Sequence, residues 1–450
     1  MLYRKIEELL KERLSQPSER VPVVSGARQI GKSYIIRYVG QQLFKNFIEL
    51  NLIEDNKLRD NLDSVRTVEE FYLAISSFVG MQLGNADDTL IFIDEIQECP
   101  HLLTLLKFLR QDNRYRYIAS GSLLGLTLHH THSIPVGSME TIAMYPLDFE
   151  EFLIANDCGR DVIDYLRGCF ENMVSPVAAV HNRIMDLFRR YLLVGGLPAA
   201  VNEFLASRNL AKVRAIQSDI HMLYSADASK YDELHRLKIK RIYDLIPSNM
   251  ENKKKRVVYR DIEEKKGKRS ADYEEEMEYL ISSGIALEVK AISNPKFPLA
   301  ETESKNLLKL YLNDVGLLSD MLFRLNPRPI LEDEASINLG ALYECVVATE
   351  LAAHGHRLFY YDNRKYGEVD YLIDDFSSLS VVPLEVKSGR DYRIHAALTR
   401  FLSTPDYNIK KGYVLSNSGE VATRDGIRYV PVYMVMFFNC SGGSGEDIFI

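Results

Sequence analysis

The residues with the clearest chemical potential form a glycine-rich loop near the beginning of the chain. Residues 26–33 read GARQIGKS and match the pattern G-x-x-x-x-G-K-[ST] at every fixed position. Glycines let the backbone approach phosphate oxygens closely, so that its N–H groups can point inward. Lys32 would reach the β- and γ-phosphates of ATP, and the Ser33 hydroxyl is a suitable oxygen ligand for Mg²⁺. The residues predicted to bind the nucleotide are Gly26, Ala27, Arg28, Gln29, Ile30, Gly31, Lys32, Ser33 and Tyr34.

Polar side chains follow two later apolar runs. The run at 90–93 ends in Asp94 and Glu95, and the run at 115–119 ends in Ser120. Acids at the carboxyl end of a buried parallel strand lie where open α/β sheets bind ligands. We therefore predict that Asp94 holds Mg²⁺ and that Glu95 is the general base for the attacking water. Ser120 would sense the γ-phosphate and orient that water, although Ser-Gly-Ser is also ordinary turn chemistry.

A third set of residues with chemical potential lies near the end of the chain. The runs VDYLID and VVPLEVKSG predict adjacent strands, and strand alternation places Glu385 and Lys387 on one face. A carboxylate on one strand followed by Glu-x-Lys on the next is typical of the PD-(D/E)xK nuclease fold. Asp370 and Glu385 would hold Mg²⁺ against a phosphate, Lys387 would steady the attacking water, and Glu344 would add a third metal contact. The alternative is a pair of charged strands with a structural salt bridge between acid and lysine. A nuclease-like fold would not by itself establish catalysis.

The order of the surrounding elements predicts how these residues are positioned. A helix at 2–14 precedes short apolar strands at 21–24, 46–50, 89–93 and 115–119, which alternate with helical segments. This alternation predicts an α/β fold with a parallel sheet covered on both faces. The chain becomes mostly helical after Pro146, and it is helical and highly charged from about 208 to 300. Strand signals return from about 306 and include the apolar run at 431–438, which predicts a separate C-terminal α/β domain.

Several motifs together resemble one group of prokaryotic AAA-type ATPases that are fused to a C-terminal domain of unknown function. GARQIGKS, LIFIDEIQ, IASGS, MYPLDFEEFL and YLLVGGLPAAV resemble the ATPase part, and NDVGLL, NLGALYECVVATEL, GEVDYLID and PLEVKSG resemble the C-terminal part. The resemblance implies ATP binding by residues 26–33 and 94–95. The predicted domains are an AAA-type P-loop domain at 1–145, a helical lid at 146–207, a charged helical segment at 208–300 that suits a winged helix, and a restriction-nuclease-like domain at 301–450.

One departure from that group concerns an arginine. Many relatives carry Gly-Arg shortly before the PL segment, where this chain has Gly137 and Ser138. If that arginine acts on the γ-phosphate, its loss predicts slow turnover or a need for assembly. Arg110, Arg114 and Arg116 are substitutes in principle, and the sequence selects none of them. AAA-type proteins often form rings, which leaves a homo-oligomer open.

Charge and composition narrow the list of partners. The formal net charge is -8, so no strong overall attraction to nucleic acid is expected. Two basic runs, at 253–256 and 265–269, would contact DNA phosphates as part of a winged helix, or would be solvated loops. The five scattered cysteines argue against a zinc ribbon and a disulfide framework. No apolar run is long enough to span a membrane, and no secretory signal precedes the first domain, so a cytoplasmic protein without membrane contact is expected.

Two functions fit these observations. The first is Mg²⁺-dependent ATP hydrolysis that drives or gates a C-terminal nuclease-like domain acting on nucleic acid. The second is a nucleotide-gated binding module with little hydrolysis and an inactive nuclease-like domain. Ser138 in place of arginine favours the second function. ATP and Mg²⁺ are the predicted cofactors in both.

Overall fold

The computed structural model describes residues 1–16, 18–79, 84–122, 137–227, 233–251, 255–263, 269–332, 334, 337–363, 367–389 and 392–440. The chain divides into two compact units. The first unit contains residues 3–145 and 278–285. The second unit contains residues 146–277 and 286–450. The chain therefore returns once to the first unit after it has entered the second.

The first unit is built on a parallel sheet of five strands. The strand order is β2-β3-β4-β1-β5, and every neighbouring pair is parallel. The predicted parallel sheet with helical connections is confirmed. Its strands are β1 (Val21–Ser25), β2 (Asn46–Asn51), β3 (Thr89–Asp94), β4 (Arg116–Gly121) and β5 (Met139–Ala143). Its helices are α1 (Ile6–Ser15), α2 (Lys32–Leu43), α3 (Asn56–Asp63), α4 (Val68–Val79) and α5 (His101–Asp112).

The register of the central strands determines which side chains meet at the edge of the sheet. Strand β3 is buried along its whole length, as expected for a central strand covered on both faces. Val24 of β1 pairs with Ser120 of β4, and Ile93 of β3 pairs with Ala119 of β4. The carboxyl ends of β1, β3 and β4 therefore lie side by side, and the loop after β1 begins at this edge.

Helices make up the first part of the second unit. Helix α8 ends at Val194 because Gly195 adopts a φ of 71°, which favours glycine, and α9 begins with Pro198 in its first turn. The remaining helices follow in chain order, and α13 crosses the division between the units. They are α6 (Phe149–Ala155), α7 (Arg160–Glu171), α8 (Ala178–Val194), α9 (Pro198–Ser207), α10 (Leu210–Asp227), α11 (Glu233–Glu251), α12 (Tyr259–Glu263), α13 (Glu274–Ser282), α14 (Val315–Phe323), α15 (Arg328–Leu331), α16 (Gly340–Ala353) and α17 (Ala396–Leu402).

The second unit also contains a mixed sheet of eight strands in the order β12-β13-β11-β10-β9-β8-β6-β7. The two strands that carry the predicted nuclease-like residues, β9 and β10, are antiparallel neighbours at its centre. Helix α16 packs against β10 on this sheet. The strands are β6 (Ala286–Ile292), β7 (Glu303–Leu312), β8 (Phe359–Asn363), β9 (Gly367–Asp375), β10 (Ser380–Lys387), β11 (Gly412–Ser416), β12 (Ala422–Arg424) and β13 (Ile427–Pro431).

Two sequence-based predictions of secondary structure are wrong in this unit. Residues 286–292 fall in the segment predicted as helical, but they form β6, which pairs with β7 and β8. The eight-stranded sheet thus begins before residue 301. The apolar run after Pro431 was predicted as strand, but residues 432–437 form a buried 3₁₀ helix. A short run that is apolar throughout does not distinguish a buried strand from a buried helix.

Within the part of the chain that the structure describes, no helix combines the length and apolar character needed to cross a membrane.

Candidate functional site

The predicted phosphate loop connects β1 to α2 and has the backbone geometry of an anion cradle. Gly26 and Gly31 have φ angles of 147° and 93°, and Gln29 also lies at a positive φ of 66°. A Cβ atom on Gly26 would lie 2.2 Å from the carbonyl oxygen of Met144, so only glycine fits there. Lys32 opens helix α2, so that the free N–H groups of the first helical turn face the loop. This backbone can bind a phosphate chain.

The Lys32 side chain lies over this loop. Its Nζ atom donates to the carbonyl oxygens of Gly26 and Ala27 at 2.9 and 2.8 Å. Only 5% of the residue is exposed. The ammonium group is thus held at the place where the loop would enclose a phosphate.

Asp94 lies at the carboxyl end of β3, where three of the predicted residues meet. The Ser120 hydroxyl donates to Asp94 Oδ1, and the Ser33 hydroxyl lies near enough to the Asp94 carboxylate to lower its pKa. Burial raises the pKa of Asp94, and these two hydroxyls partly offset the rise. The site therefore holds a buried carboxylate beside a hydroxyl from the phosphate loop. An oxygen pair of this kind fits Mg²⁺.

Glu95 follows in a left-handed turn with φ 56° and ψ 48°. Its Oε2 atom accepts hydrogen bonds from the side chains of Gln97 and Ser122, the latter at 3.2 Å. Non-glycine residues with positive φ are uncommon and often lie at functional sites. Gln97 and Ser122 were not predicted as site residues, although both lie within the motifs LIFIDEIQ and IASGS.

Two further residues near the loop were not predicted from the sequence. Arg4 donates to the Ile30 carbonyl oxygen at 2.9 Å and to the Tyr145 carbonyl oxygen at 2.6 Å. Gly284 has a φ of 72°, and a Cβ atom there would lie 3.0 Å from the backbone nitrogen of Ala27. Neither contact has a local signal in the sequence, because each joins segments that are far apart along the chain.

The three arginines considered as substitutes for the missing arginine lie at the amino-terminal ends of the strands, opposite the nucleotide site. Arg110 is near the end of α5, and Arg116 begins β4, whereas Ser120 lies near its carboxyl end. Arg110 donates to the Ser18 carbonyl oxygen, and Arg116 donates to the Gln16 carbonyl oxygen at 3.3 Å. These arginines therefore do not reach the nucleotide site of their own chain. Arg114 occupies the same edge and forms an ion pair with Asp112 at 3.0 Å.

The structure brings the four predicted nuclease-like residues together in the second unit. Glu344 lies on α16, Asp370 on β9, and Glu385 and Lys387 on β10. Lys387 Nζ donates to Glu385 Oε1 at 2.8 Å. Asp370 Oδ2 accepts from the backbone N–H of Val386 at 2.9 Å. We call Glu344, Asp370 and Glu385 the carboxylate cluster.

A residue outside the predicted set joins two members of this cluster. Lys255 Nζ forms an ion pair with Glu344 Oε1 and lies 3.7 Å from Asp370 Oδ1. Burial lowers the pKa of Lys255, but the Asp370 and Glu344 carboxylates more than offset this and raise it. Burial, followed by the charge of Asp370, raises the pKa of Glu344 and raises that of Glu385 to about 8.

The cluster does not converge as a metal site. Among the described residues, only one group of three potential ligands has its ligand atoms within 4.8 Å of one another, and it is Asp148, Glu350 and His354. The predicted three-carboxylate metal set at Glu344, Asp370 and Glu385 therefore does not fit a divalent ion in this arrangement. In a nuclease centre these carboxylates would coordinate the metal. Here Glu344 and Asp370 contact Lys255, and Glu385 contacts Lys387.

Several of the motifs that carry the family resemblance lie in the second unit and form packing contacts there. Asp148 caps α6 by accepting from the Glu151 N–H at 2.8 Å, and Glu350 accepts from the Phe149 N–H at 2.6 Å. Asp314 accepts from the Gly196 N–H at 2.6 Å and caps α14. These buried carboxylates accept hydrogen bonds from backbone N–H groups at helix ends and in a glycine turn. The motifs that contain them therefore stabilise the fold.

The basic run at 253–256 is only partly described. Lys255 and Arg256 were predicted to contact DNA, but both are ion-paired inside the second unit, with Arg256 bound to Asp362. Lys255 pairs with the buried Glu344 and Arg256 with the partly exposed Asp362, and contact of these two residues with DNA stays a prediction. Arg269 is exposed at the beginning of a 3₁₀ turn. Lys253, Lys254, Lys265, Lys266 and Lys268 lie outside the described residues.

Comparisons with known families match three parts of the chain. Residues 18–153 match the model of a family described as an AAA domain. Residues 185–328 and 339–435 match two families described as domains of unknown function, DUF8612 and DUF4143. The chain thus contains an AAA-type P-loop ATPase domain followed by a C-terminal domain of unknown function. No curated protein matches the sequence significantly.

Several solved structures are similar to the chain at low identity. A Walker-type ATPase of Pyrococcus abyssi is 14% identical with a TM-score of 0.44, over 72% of this chain and 96% of that one. The ORC1 protein of Aeropyrum pernix, solved in complex with DNA, is 13% identical with a TM-score of 0.30, over 74% and 93%. PCH-2 of C. elegans is 12% identical with a TM-score of 0.25, over 37% and 48%.

Proposed function

We propose that this protein is a Mg²⁺-dependent ATPase whose nucleotide cycle drives or gates the C-terminal nuclease-like unit on nucleic acid. The observation that carries the ATPase part is the meeting of Ser33, Asp94 and Ser120 at one edge of the parallel sheet, beside Lys32. A phosphate loop alone would only bind an anion. Together with a buried carboxylate and a polar residue on the next strand, it provides the parts needed for phosphoryl transfer to water.

Each residue has a role in this proposal. The loop N–H groups and Lys32 bind the β- and γ-phosphates, which requires Lys32 to exchange its carbonyl partners for phosphate oxygens. Ser33 and Asp94 would hold Mg²⁺, which neutralises phosphate charge when bound. Glu95 accepts a proton from the attacking water, and Gln97 and Ser122 fix the orientation of its carboxylate. Ser120 keeps Asp94 in place and contacts the γ-phosphate.

ATP turnover of the purified protein tests this assignment. Lys32→Ala should lower turnover at least about 100-fold, because a charged donor to the transferred phosphate is lost. Lys45→Ala is the matched control, since Lys45 is an exposed lysine just beyond α2 and should leave turnover unchanged. Retained turnover in Lys32→Ala would refute the assigned site.

The nuclease-like part of the proposal is supported by the positions of its four residues on neighbouring elements, with Glu344 on α16, Asp370 on β9, and Glu385 and Lys387 on β10. Its test is cleavage of labelled single- and double-stranded DNA with Mg²⁺ or Mn²⁺, with and without ATP. Cleavage that disappears in Lys387→Ala would identify an ATP-coupled nuclease. No cleavage under any of these conditions would refute a nuclease and leave the second candidate.

That second candidate is a nucleotide-gated binding module without cleavage. Two observations favour it, namely Ser138 in place of the expected arginine and the lysine that joins Glu344 to Asp370. In this case labelled DNA or another partner would bind with an affinity that differs between ATP and ADP. Fluorescence anisotropy of labelled DNA measures this difference directly.

A further inference from the structure

The cation inside the carboxylate cluster is a lysine from a distant part of the chain. Lys255 precedes Glu344 by 89 residues, and its Nζ atom contacts Glu344 Oε1 and faces Asp370 Oδ1. About a quarter of its side chain, 26%, is exposed, whereas Glu344 is buried. This lysine therefore lies inside the second unit, between two acids that the sequence pattern assigns to a metal.

The oxygens that a metal would need already have protein partners. The Tyr311 hydroxyl donates to Glu344 Oε2 at 3.1 Å, and Asp370 Oδ2 accepts from the Val386 N–H at 2.9 Å. Lys387 donates to Glu385 Oε1. Within the described residues, Glu385 Oε2 alone among these oxygens has neither a hydrogen bond nor an ion pair. A magnesium-type ion needs several free oxygens in octahedral positions, and this arrangement does not present them.

The backbone holds Lys255 in this position. Lys255 has a positive φ of 47°, a conformation that costs free energy for a non-glycine residue and persists when neighbouring contacts impose it. The next residue, Arg256, forms an ion pair with Asp362 on β8. The Val257 N–H then donates to the Leu308 carbonyl oxygen of β7 at 3.3 Å. Contacts of three consecutive residues thus hold Lys255 in its position within the second unit.

The electrostatic requirement of the cluster explains why a built-in cation is stable there. Buried carboxylates without a compensating cation are costly, and they take up protons or bind a positive ion. The charges of Asp370 and Glu344 keep Lys255 protonated, since together they raise its pKa despite burial. The ammonium group supplies three donors and one positive charge without requiring the coordination geometry of a metal.

We propose that Lys255 is a built-in cation that takes the place of the divalent metal at Glu344, Asp370 and Glu385, so that this site binds no divalent ion. The inference rests on the nuclease-like interpretation of the second unit given above. It gives the binding-module candidate a physical basis, because a nuclease of this type cannot cleave without its metal. The substitution of a lysine for a metal also removes any dependence of this unit on Mg²⁺ supply.

Manganese binding to the full chain tests the proposal. The free Mn²⁺ signal is measured by electron paramagnetic resonance without nucleotide, and every protein carries Asp94→Asn to remove the metal contact in the first unit. The protein with native Lys255 should show no binding that depends on Glu344. Lys255→Gln should gain about one Mn²⁺ per chain, since the freed carboxylates then need a cation. Adding Glu344→Gln to Lys255→Gln should abolish that gain.

Lys411→Gln is the matched control, because Lys411 forms an ion pair with Asp375 at 3.0 Å on β9, outside the cluster. It should gain no Mn²⁺. Glu344-dependent binding in the protein with native Lys255, or a folded Lys255→Gln variant that gains none, would overturn the proposal.

A second measurement needs no change at Lys255. Terbium bound in the cluster would be sensitised by Tyr311, whose hydroxyl contacts Glu344. Emission that is lost in Glu344→Gln would overturn the proposal, and the absence of such emission supports it even if Lys255→Gln fails to fold. ATP turnover of the protein with native Asp94 is recorded separately. Absence of turnover would count against the proposed ATPase alone, and the metal results would stand.

Discussion

At the scale of single residues, the nucleotide site depends on small hydroxyl groups as much as on charged ones. Ser120 donates to Asp94, whereas Ser122 donates to Glu95, so the two serines of one strand end support the two acids separately. Ser120 is fully buried, and its hydroxyl partly offsets the effect of burial on the pKa of Asp94. The two positions can therefore be compared by the same substitution.

Ser120→Ala should lower ATP turnover about 10- to 100-fold and weaken ATP binding much less, because one hydrogen bond to a buried carboxylate is lost. Ser122→Ala should also lower turnover but leave the Mg²⁺ dependence of turnover unchanged, since it contacts Glu95. Steady-state kinetics at several Mg²⁺ concentrations separates the two variants. Equal Mg²⁺ dependence in both would contradict the different roles of the two hydroxyls.

Arg4 is the residue whose contribution is least visible in the sequence. It is 7% exposed and donates to two carbonyl oxygens, one of them at Ile30 in the phosphate loop. Arg4→Met should weaken ATP binding about 10-fold, because a loop carbonyl loses a charged donor worth about 1.5–3 kcal/mol. Titration with a fluorescent ATP analogue measures this. Arg13→Met on α1 is the control, since Arg13 forms partly exposed ion pairs with Glu12 and Glu140.

The contrast between these residues shows what sequence alone can predict. Lys32, Ser33 and Asp94 were predicted because each lies at a fixed distance from a glycine or at the end of an apolar run. Arg4 and Lys255 were not, because their partners are 26 and 89 residues away and no periodicity marks them. Local spacing defines a motif, but only the folded structure shows which cation from a distant part of the chain contacts it.

At the scale of elements, the turn at 195–198 and helix α14 are joined by one buried carboxylate. Asp314 accepts from the Gly196 N–H at 2.6 Å and from the Leu317 N–H at 3.0 Å, and a Cβ on Gly195 would lie 2.1 Å from Asp314 Oδ1. Burial raises the pKa of Asp314 to about 6, although these N–H groups lower it. The motifs GGLP and NDVGLL therefore contact each other through the Asp314 carboxylate.

Asp314 should make the stability of the protein depend on pH, with a contribution that falls as the pH rises. Its pKa is higher in the folded chain than the value of about 3.9 expected when unfolded, so the folded state binds the proton more tightly. Its contribution to the free energy of unfolding is complete below about pH 4 and falls as the pH rises to about 6. Asp314→Asn does not titrate. The advantage of wild type over this variant should shrink by up to about 3 kcal/mol between pH 4 and 7.

Urea unfolding followed by circular dichroism measures this difference at each pH. Asp375→Asn is the control, because hydrogen bonds from Ser377 and Lys411 outweigh partial burial and hold the pKa of Asp375 below its ordinary range. Asp375 therefore stays ionised from pH 4 to 7, and its difference from wild type should be nearly constant. A difference for Asp314→Asn that is flat or grows with pH would contradict the assignment.

The elements of the first unit were predicted better than those of the second unit. The parallel sheet of the first unit follows from the alternation of apolar strands and amphipathic helices. Its strands β1 to β4 lie within one or two residues of prediction, whereas β5 was not predicted. Strand β6 was missed because it lies in a charged segment, and its buried residues do not alternate along the strand; they are Ala286, Val289, Ala291 and Ile292. Its membership in the sheet depends on pairing with β8, which begins at residue 359.

At the scale of the whole molecule, the chain returns to the first unit through residues 278–285 and then continues directly into β6 of the second unit. Gly284 in this segment approaches the backbone of Ala27 in the phosphate loop. Any effect of ATP on the second unit has this covalent route available. A coupling of this kind is established only when a measured change in one place depends on the ligand in the other.

Hydrogen–deuterium exchange tests the route. ATP with Mg²⁺ should protect peptides that contain residues 26–33, and it should also change exchange in peptides that cover 278–292, because the loop tightens beside Gly284. Peptides from β12 and β13, at the far end of the mixed sheet, serve as the internal control. Both changes should vanish in Lys32→Ala. Protection of the phosphate loop without any change at 278–292 would refute transmission through this segment, and the nucleotide would then act on the second unit by another route or not at all.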